Sequence, residues 1–330
     1  MMSNFWQQLP KPFFALAPME DVTDTVFREV VAGMSDPSYL QVLYTEFASI
    51  DGLNHPVGKK NVGHRLLVNE SERTLLKEKN IKLVVQIWGK NPELFHKIAH
   101  EITEEYECDG IDVNMGCPVK KVVKNGCCSA LIDQPDLAKE IIQATKEATH
   151  LPVSVKTRTG IRMHETERWM TTIMETRPAA VILHGRTQKQ QSEGLADWDE
   201  IGKGAVIRNM VSPETLIIGN GDVNSVSQGV ELAEKHGMDG IMVGRGIFHY
   251  PWFFQPNHSA PLKTERLTQL LFHTQLFEKT WGNKKSINIL KRFYKIYTSD
   301  FTDASKLRVQ LMDAKSYDEI YRILHKELNL

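Results

Sequence analysis

The chain has 330 residues, of which 41% are hydrophobic and 25% are charged, and its formal net charge is −1. This length accommodates one large α/β domain and a smaller one, with a full hydrophobic core. No apolar run approaches the ~18 residues that span a bilayer, and the N-terminal segment has no apolar core of signal-peptide length. We therefore expect a cytoplasmic protein with no membrane partner.

Charge is distributed unevenly along the chain. Residues 255–330 carry 13 lysine and arginine residues against 8 aspartate and glutamate residues, a net charge of +5. The preceding 254 residues carry 27 basic and 33 acidic residues, a net charge of −6. A basic C-terminal region on an acidic body suggests a local contact surface for a polyanion.

The four cysteines lie within 21 residues, at positions 108, 117, 127 and 128. Adjacent Cys127 and Cys128 are poorly placed to pair with each other, and no Cys-x-x-Cys pattern with histidine partners has the spacing of a zinc site. We therefore expect free thiols in a reducing compartment and no bound metal.

Eight short β-rich runs alternate with helical patterns over most of the first 250 residues. The runs span residues 13–18, 39–47, 83–88, 110–114, 153–157, 180–184, 216–219 and 240–244. The helical patterns between them span residues 23–33, 92–106, 135–149, 165–176 and 225–235. Runs such as Leu-Val-Val-Gln-Ile are almost continuously apolar, which is typical of parallel strands covered on both faces. The alternation predicts an α/β fold, a (β/α)8 TIM barrel, with a doubly wound sheet as the alternative because periodicity does not give strand order.

Two segments depart from this alternation. Residues 48–81 form a long gap between the second and third runs, where we expect an extra loop or helix over the barrel mouth. Residues 255–261 read as a linker, and the segments 265–281, 286–301, 304–314 and 317–328 have helical spacing of apolar residues. We therefore predict a barrel domain over residues 1–254 and a small helical-bundle domain over residues 255–330.

One strand end carries a thiol beside basic residues. The run that contains Ile111 and Val113 stops at Gly116, and Cys117 and Pro118 follow at once. Lys120, Lys121 and Lys124 come next, so the thiol has cationic neighbours. Such a thiol suits chemistry on an anionic or nucleic-acid substrate, although free cysteines are also among the most commonly buried structural residues.

Polar residues and glycines also follow the other strands, where TIM-barrel active sites lie. The seventh and eighth runs end in Gly219-Asn220-Gly221-Asp222 and Gly244-Arg245-Gly246, and such turns expose backbone N–H groups that bind phosphate. No Walker A pattern and no Gly-x-Gly-x-x-Gly helix start is present, so the turns favour a phosphate-bearing cofactor such as FMN. Lys156 is suited to the electron-rich edge of a reduced flavin, with a Schiff-base lysine as the alternative.

Seven short motifs, in a fixed order along the chain, resemble those of a known enzyme family. The motifs are Ala17-Pro18-Met19-Glu20, Val85-Gln86, Asp112-Val113-Asn114-Met115-Gly116-Cys117-Pro118 with Lys121-Val122, Ser154-Val155-Lys156-Thr157-Arg158, His184-Gly185-Arg186-Thr187, Asn220-Gly221-Asp222 and Gly244-Arg245. In this order they resemble the bacterial tRNA-dihydrouridine synthases over nearly the whole chain. The resemblance implies a barrel that binds FMN tightly, a helical domain that helps to grip tRNA, and NADPH-driven reduction of a D-loop uridine.

The resemblance also implies roles for individual residues. Cys117 is implied as the general acid that gives a proton to carbon 5 of uracil while hydride goes to carbon 6, and a thiol of ordinary pKa near ~8.5 is mostly protonated at neutral pH. The implied cofactor-binding residues are Pro18, Met19, Glu20, Gln86, Lys156, His184, Asn220, Gly221, Asp222, Gly244 and Arg245. The implied substrate-binding residues are Asn114, at the uracil ring, Arg186, at the RNA backbone or the target nucleotide, and Lys291, Arg292 and Lys295, at the RNA. A surface salt bridge is the alternative role for Arg186. We expect no metal and no obligate protein partner.

Two positions depart from the family pattern. Cys128 stands where the family usually has glycine, which raises the alternative that it, and not Cys117, is the reacting thiol. The stretch after Thr187 lacks an arginine that some members have. The rival interpretations are a dihydroorotate-dehydrogenase-like flavoprotein acting on a free pyrimidine, and a non-catalytic RNA-binding or folding module. Cys117, Lys156 and the two glycine turns argue against the second.

Overall fold

Parallel strands close into a barrel in the computed structural model of the chain, which describes residues 4–330. The strands are β1 (Phe13–Leu16), β2 (Val42–Tyr44), β3 (Ala48–Ser49), β4 (Lys82–Trp88), β5 (Gly110–Met115), β6 (Val153–Arg158), β7 (Ala180–His184), β8 (Leu216–Asn220) and β9 (Gly240–Val243). Strand β1 pairs with both β2 and β9, and β2 pairs with β4, so eight strands form a closed ring. The two-residue β3 only extends the pairing of β4. This closure confirms the predicted TIM barrel and rules out the doubly wound alternative.

The inside of the barrel is apolar at one end and polar at the other. Side chains alternate across a strand, so every second residue points inward. At the N-terminal end of the strands, the inner surface is closed by Trp6, which is fully buried, and by Phe13 and Ala15 of β1. At the C-terminal end, the inward positions on β4, β5 and β6 are Gln86, Asn114 and Lys156. The register thus gathers polar side chains at the end where TIM-barrel sites lie.

Helices surround the barrel. They are α1 (Thr25–Met34), α2 (Ile50–Asn54), α3 (Pro56–Val62), α4 (Glu70–Glu78), α5 (Pro92–Glu105), α6 (Lys120–Lys124), α7 (Pro135–Glu147), α8 (Thr166–Met174), α9 (Trp198–Val211), α10 (Val226–His236), α11 (Lys263–Trp281), α12 (Tyr294–Tyr297), α13 (Ala304–Asp313) and α14 (Tyr317–Leu328). The five helices predicted between the strands are confirmed as α1, α5, α7, α8 and α10. The gap at residues 48–81 holds α2, α3 and α4, which confirms an additional helical insertion.

Helix α9 was not predicted, because its apolar residues do not keep to one face. Val206 and Met210 are exposed, whereas Ile201 and Ile207 are buried. A start signal is nevertheless present, since the side chain of Asp197 accepts a hydrogen bond from the backbone N–H of Glu200 at 3.0 Å. Asp-x-x-Glu is a known pattern for a helix N-terminus.

The C-terminal region is helical as predicted, with one difference. The single helix expected over residues 286–301 is instead a 3-10 turn, Ile287–Arg292, followed by the four-residue α12. Neighbouring Phe293 and Tyr294 are both buried, as are Leu290 and Tyr297. One regular helix exposes one of its faces, so burying adjacent residues on both sides favours an irregular path.

This region packs directly on the barrel. The ring of Phe293 stacks on that of Phe27 in α1, with centroids 4.7 Å apart. Trp281 Nε1 donates a hydrogen bond to Asp24 Oδ2 at 2.8 Å, next to α1. The helical region and the barrel therefore share one hydrophobic core. The division of the chain at residues 254 and 255 stays a prediction.

Two absences hold for residues 4–330. No helix there is long and apolar enough to cross a membrane, and no cluster of three or more histidine, cysteine or acidic side chains has a metal-binding arrangement. Residues 1–3, part of the segment expected to carry no targeting signal, lie outside the described residues.

Candidate active site

A cavity of about 670 Å³ opens at the C-terminal ends of β1, β6, β7, β8 and β9. Nine of the eleven predicted cofactor-binding residues line it: Pro18, Met19, Lys156, His184, Asn220, Gly221, Asp222, Gly244 and Arg245. Cofactor sites commonly have volumes of roughly 300–1,000 Å³. The structure thus brings residues from five separate strand ends to one chamber of suitable size.

A larger depression of about 830 Å³ lies at the opposite end of the barrel. Lys146, one of the basic residues that line this depression, already donates hydrogen bonds to the backbone carbonyls of Thr176 and Arg177, at 2.6 and 3.1 Å. It contains none of the predicted site residues. We assign the functional site to the C-terminal cavity for that reason.

The walls of the cavity are strongly cationic. Lys156, Arg158, Arg186 and Arg245 line it, with Asp222 as the carboxylate among them. Lys156 Nζ donates to Asn220 Oδ1 at 3.0 Å. Burial, aided by the nearby Arg158, lowers the pKa of Lys156 to about 8. The ammonium group therefore stays largely protonated at neutral pH and suits an anionic ligand.

The glycine turns after β8 and β9 differ in the space around them. Gly221 has φ +138°, and a Cβ there would lie 2.4 Å from the Cβ of Ala196, so the turn has room for glycine alone. At Gly244, the nearest atom to an added Cβ is the Cβ of Ala17 at 3.9 Å, so the backbone is open toward the cavity. The side chain of Arg245 is 60% exposed and makes a 3.3 Å contact with Asp222. An open glycine beside an exposed guanidinium fits the phosphate end of FMN.

Arg186 is buried in the wall of the cavity. Arg186 is 2% exposed, and its Nη2 donates to Gly194 O at 2.6 Å and to both oxygens of Asp222. Nη1 lies 3.1 Å from His184 Nε2. Burial and nearby cations, Lys156 foremost, hold the pKa of His184 well below its usual range, so the ring is neutral and accepts this bond. The guanidinium thus braces the wall, away from a surface that the RNA backbone could touch, and a contact with the target nucleotide stays a prediction.

Cys117 lies at the mouth of the site, beside the cavity, and its position is fixed by hydrogen bonds. Its backbone N–H and that of Gly116 both donate to Asn114 Oδ1 at 3.0 Å. Ser129 Oγ donates to the Cys117 carbonyl at 2.8 Å. Arg158, which lines the cavity, donates through Nε to the carbonyl of Gly116 at 2.7 Å. The thiol is half-buried.

The pKa of Cys117 is lower than its sequence suggested. A hydrogen bond from the thiol of Cys128 lowers the pKa to about 7, against the opposing effect of burial. The sequence had implied an ordinary, mostly protonated thiol. In this setting the group is near half-ionised at neutral pH, which is a useful pKa for a group that gives and regains a proton.

Cys128 occupies a backbone position that suits glycine. Its φ is +54°, in the left-handed region, and it is 1% exposed. Burial raises the pKa of its thiol well above the usual value. A buried, protonated thiol is a hydrogen-bond donor to its neighbour, so Cys117 stays our candidate for the general acid.

Gln86 and Glu20 do not line the cavity. Gln86 is fully buried beneath it, where Nε2 donates to Asp112 Oδ2 at 2.7 Å and Oε1 accepts from Asn114 Nδ2 at 2.9 Å. Glu20 is exposed and pairs with Arg65 at 2.6 Å. Asn114 is 5% exposed, and its Oδ1 accepts a hydrogen bond from the backbone N–H of Cys117. Gln86 and Glu20 therefore do not form the walls of the cavity, whereas Asn114 is left with one Nδ2 hydrogen for a ligand.

The basic residues predicted for RNA fall into two groups. Arg292 and Lys295 are exposed and Lys291 is half-buried, whereas the neighbouring Phe293 and Tyr297 are in the core. Arg292 Nη2 reaches Asp21, in the loop after β1, at 3.3 Å. This contact places the basic residues beside the cavity mouth.

Lys285, another basic residue of this region, turns its side chain inward, where it is 9% exposed. Its ammonium lies 3.0 Å from Asp24 Oδ2 and 4.0 Å from the centre of the Trp281 ring. Lys285 is therefore held by acidic and aromatic neighbours beside α1, unlike the exposed basic residues of the same region.

Three further polar residues of the cavity were not predicted: Ser192, Asn224 and His249. They lie in loops and a turn that follow β7, β8 and β9, where no periodicity marks them. Their place in segments that follow strands is the one signal that the sequence offered.

A family comparison bears on this geometry. The family model described as "Dihydrouridine synthase (Dus)" matches residues 15–328. The chain belongs to the dihydrouridine synthase family. It is similar to the "Probable tRNA-dihydrouridine synthase" of Staphylococcus aureus (strain COL), with 42% identity over 326 residues, 98% of this chain and 95% of the relative. It is equally similar to the "Probable tRNA-dihydrouridine synthase 2" of Bacillus subtilis (strain 168), with 42% identity over 98% of this chain and 96% of the relative.

Among solved structures, the 6-hydroxypseudooxynicotine amine oxidase of Pseudomonas geniculata N1 is similar, with a TM-score of 0.52 and 12% identity. The alignment covers 74% of this chain and 46% of that chain. At this identity the likeness concerns the fold alone.

Proposed function

We propose that the chain is a tRNA-dihydrouridine synthase that binds FMN, takes electrons from NADPH and reduces a D-loop uridine of tRNA to 5,6-dihydrouridine. The observation that carries the proposal is that nine of the eleven predicted cofactor-binding residues line one cationic cavity, and a thiol with a pKa of about 7 lies beside it. Family membership over residues 15–328 supports the same reaction. A tRNA substrate and free thiols agree with a cytoplasmic location.

The residues present fit FMN. Gly221, Gly244 and Arg245 would hold the phosphate, because the backbone is open at Gly244, the turn at Gly221 has room for glycine alone, and Arg245 offers an exposed cation. Lys156 and Asn220 would contact the ring system from the wall of the cavity, and Pro18 and Met19 would pack against it. When bound, FMN supplies the hydride that the reaction adds to carbon 6 of uracil.

Cys117 would supply the proton that carbon 5 requires. Its pKa of about 7 leaves a large protonated fraction at neutral pH, and the group can regain its proton from solvent between turnovers. Asn114 holds the turn that carries this thiol, through its oxygen and two backbone N–H groups. The second hydrogen of Asn114 Nδ2 is the donor that we assign to the uracil ring.

The target base has to leave its stack to reach the thiol. Extruding a nucleotide costs a few kcal/mol, which contacts in the pocket and along the backbone must offset. Exposed Lys120, Lys121 and Lys124 follow Cys117 directly. A second basic group consists of Lys291, Arg292 and Lys295, of which Arg292 contacts Asp21 in the loop after β1. We propose that both groups contact phosphates and that residues 255–330 grip the tRNA without reading its sequence.

The full-length protein, an unmodified tRNA transcript, FMN and NADPH are sufficient to test this function. We expect dihydrouridine in the D-loop after nuclease digestion and mass spectrometry, and a flavin absorption band in the purified protein. Cys117→Ala is the matched variant, expected to keep FMN and tRNA binding and to lose most product. Free orotate and free uridine serve as alternative substrates. Reduction of a free pyrimidine and not of tRNA would contradict the proposal, as would a protein that takes up no flavin.

A further inference from the structure

Asp112, on β5, is a fully buried carboxylate directly beneath the site. Its Oδ1 accepts a hydrogen bond from Ser154 Oγ at 2.6 Å, and its Oδ2 accepts one from Gln86 Nε2 at 2.7 Å. Strand register pairs Asp112 with Gln86 on β4 and with Ser154 on β6, so the three side chains lie at one level inside the barrel. Removing a carboxylate from water is costly even when neutral donors satisfy it. Hydrophobic packing alone gives no reason for a charge at this level.

This carboxylate sets the orientation of two amides. An ionised carboxylate only accepts hydrogen bonds, so Gln86 has to turn its NH2 group toward Asp112. Gln86 Oε1 is then left to accept from Asn114 Nδ2, at 2.9 Å. Asn114 Oδ1 is in turn left to accept from the backbone N–H groups of Gly116 and Cys117, both at 3.0 Å. The carboxylate at one end of this chain and the two backbone N–H groups at the other therefore require the same direction of the hydrogen bonds between them.

We propose that Asp112 is a positioning residue for the reaction, which acts through Gln86 and Asn114 to hold the turn of Cys117 at the mouth of the cavity. This inference rests on the proposed function and extends it to a residue that contacts neither cofactor nor substrate.

A purely structural brace would behave differently. If Asp112, Gln86 and Asn114 only filled space, their volumes would suffice, and the two amides could take either orientation. In the reversed orientation, Asn114 Nδ2 would face the N–H groups of Gly116 and Cys117, and two donors cannot bond to each other. The Cys117 turn would then lose both of its anchors while the barrel kept its packing.

Isosteric substitutions separate these roles. Asp112→Asn removes the charge and lets the amides reverse. The double variant Asp112→Asn with Gln86→Glu exchanges the two groups: the carboxylate introduced on β4 then accepts from the new amide with one oxygen and from Asn114 with the other, which restores the original direction. Ser154→Ala is the control, because it removes one bond to Asp112 without changing the direction of the others.

Two readouts on the full-length protein test the inference. The first is the rate at which iodoacetamide alkylates Cys117 across a pH series, followed peptide by peptide without turnover. The second is the single-turnover rate of dihydrouridine formation by FMN-loaded enzyme. Asp112→Asn should change the pH dependence of alkylation and slow turnover by about tenfold or more. The double variant should return turnover to within about threefold of wild type, and Ser154→Ala should stay within about twofold.

Wild-type behaviour of Asp112→Asn in both readouts would overturn the inference, and so would a double variant no better than the single one. If wild-type protein made no dihydrouridine while alkylation followed the expected pattern, the proposed function would fail and the positioning role would stand.

Discussion

The guanidinium of Arg186 donates hydrogen bonds to both carboxylate oxygens of Asp222, at 2.7 and 2.6 Å. The two residues follow neighbouring strands, β7 and β8, so the pair ties together two loops that form one wall of the cavity. Asp222 also accepts from the backbone N–H of Ala196 at 2.7 Å. The wall is therefore fixed before any ligand arrives.

Arg186→Met should destabilise the protein and weaken its hold on FMN. The change keeps most of the side-chain volume but leaves Asp222 without its main partner in a partly buried position. Breaking a buried pair in this way costs about 3 kcal/mol of unfolding free energy. Urea denaturation of the FMN-free protein measures the loss of stability, and a separate titration with FMN measures the change in affinity.

Arg245→Met is the matched control for this change. Its side chain is 60% exposed and its contact with Asp222 is 3.3 Å long, so unfolding free energy should change by no more than about 0.5 kcal/mol. Because Arg245 is our candidate phosphate ligand, FMN affinity should nevertheless fall by about tenfold. Equal loss of stability in the two variants would contradict the buried role of Arg186.

Turnover should decrease as pH rises through the pKa of Cys117. A general acid works only while protonated, and this thiol loses its proton near pH 7, since the pKa is about 7. Cys128→Ala removes the hydrogen bond that favours the thiolate, so the pKa should rise and the decline should move to higher pH. Cys128→Ser retains a donor and should move the profile less. The pH dependence of single-turnover rates, checked by alkylation of Cys117, measures both shifts; identical profiles in all three proteins would assign the acid elsewhere.

Asp112 should make the protein less stable as pH rises through about 6. Burial raises the pKa of its carboxyl from an ordinary value of 3.8 to about 6, so the folded state binds more protons than the unfolded state between these values. Stability from this group is present at low pH and is lost as the folded carboxyl ionises. Asp112→Asn lacks this dependence, and its unfolding free energy relative to wild type should rise by about 3 kcal/mol between pH 4 and pH 7. Denaturant titrations at each pH test this, and a constant difference would show that the carboxyl does not titrate there.

Lys285→Met and Lys284→Met should separate packing from RNA binding. Lys285 is 9% exposed and contacts Asp24 and the Trp281 ring, so its loss should lower the unfolding free energy by about 3 kcal/mol. Lys284 is exposed, so its loss should leave stability unchanged and reduce the salt dependence of tRNA binding. Thermal unfolding and binding titrations over a range of salt measure the two effects. A Lys285→Met protein of unchanged stability with weakened tRNA binding would show that Lys285 contacts RNA and not the barrel.

The packing of the C-terminal region changes how its role should be tested. Phe293 stacks on Phe27 of α1, and Trp281 bonds to Asp24, so removing residues 262–330 would expose part of the barrel core. Loss of FMN binding in such a truncation would follow from damage to the barrel. Substitutions at exposed Lys284, Arg292 and Lys295 therefore test tRNA binding more cleanly than deletion does.

The amino-acid sequence alone determined the eight strands, their order along the chain and the residues that follow each strand. Strand patterns are local, because alternation and apolar runs are read over a few neighbouring residues. A TIM barrel then brings all strand ends to one face, so Pro18, Lys156, His184 and Gly244 could be grouped without coordinates.

Only the tertiary structure decided which of these groups meet and what surrounds them. Closure depends on pairing between β1 and β9, which lie more than 200 residues apart. The burial of Arg186 against Asp222 depends on loops that no pattern describes. The pKa of Cys117 depends on a thiol eleven positions away, held close by a left-handed backbone at Cys128. Hydrogen bonds and charges act through space over a few ångströms, and the distance between two side chains is fixed by the fold and not by their separation in the chain.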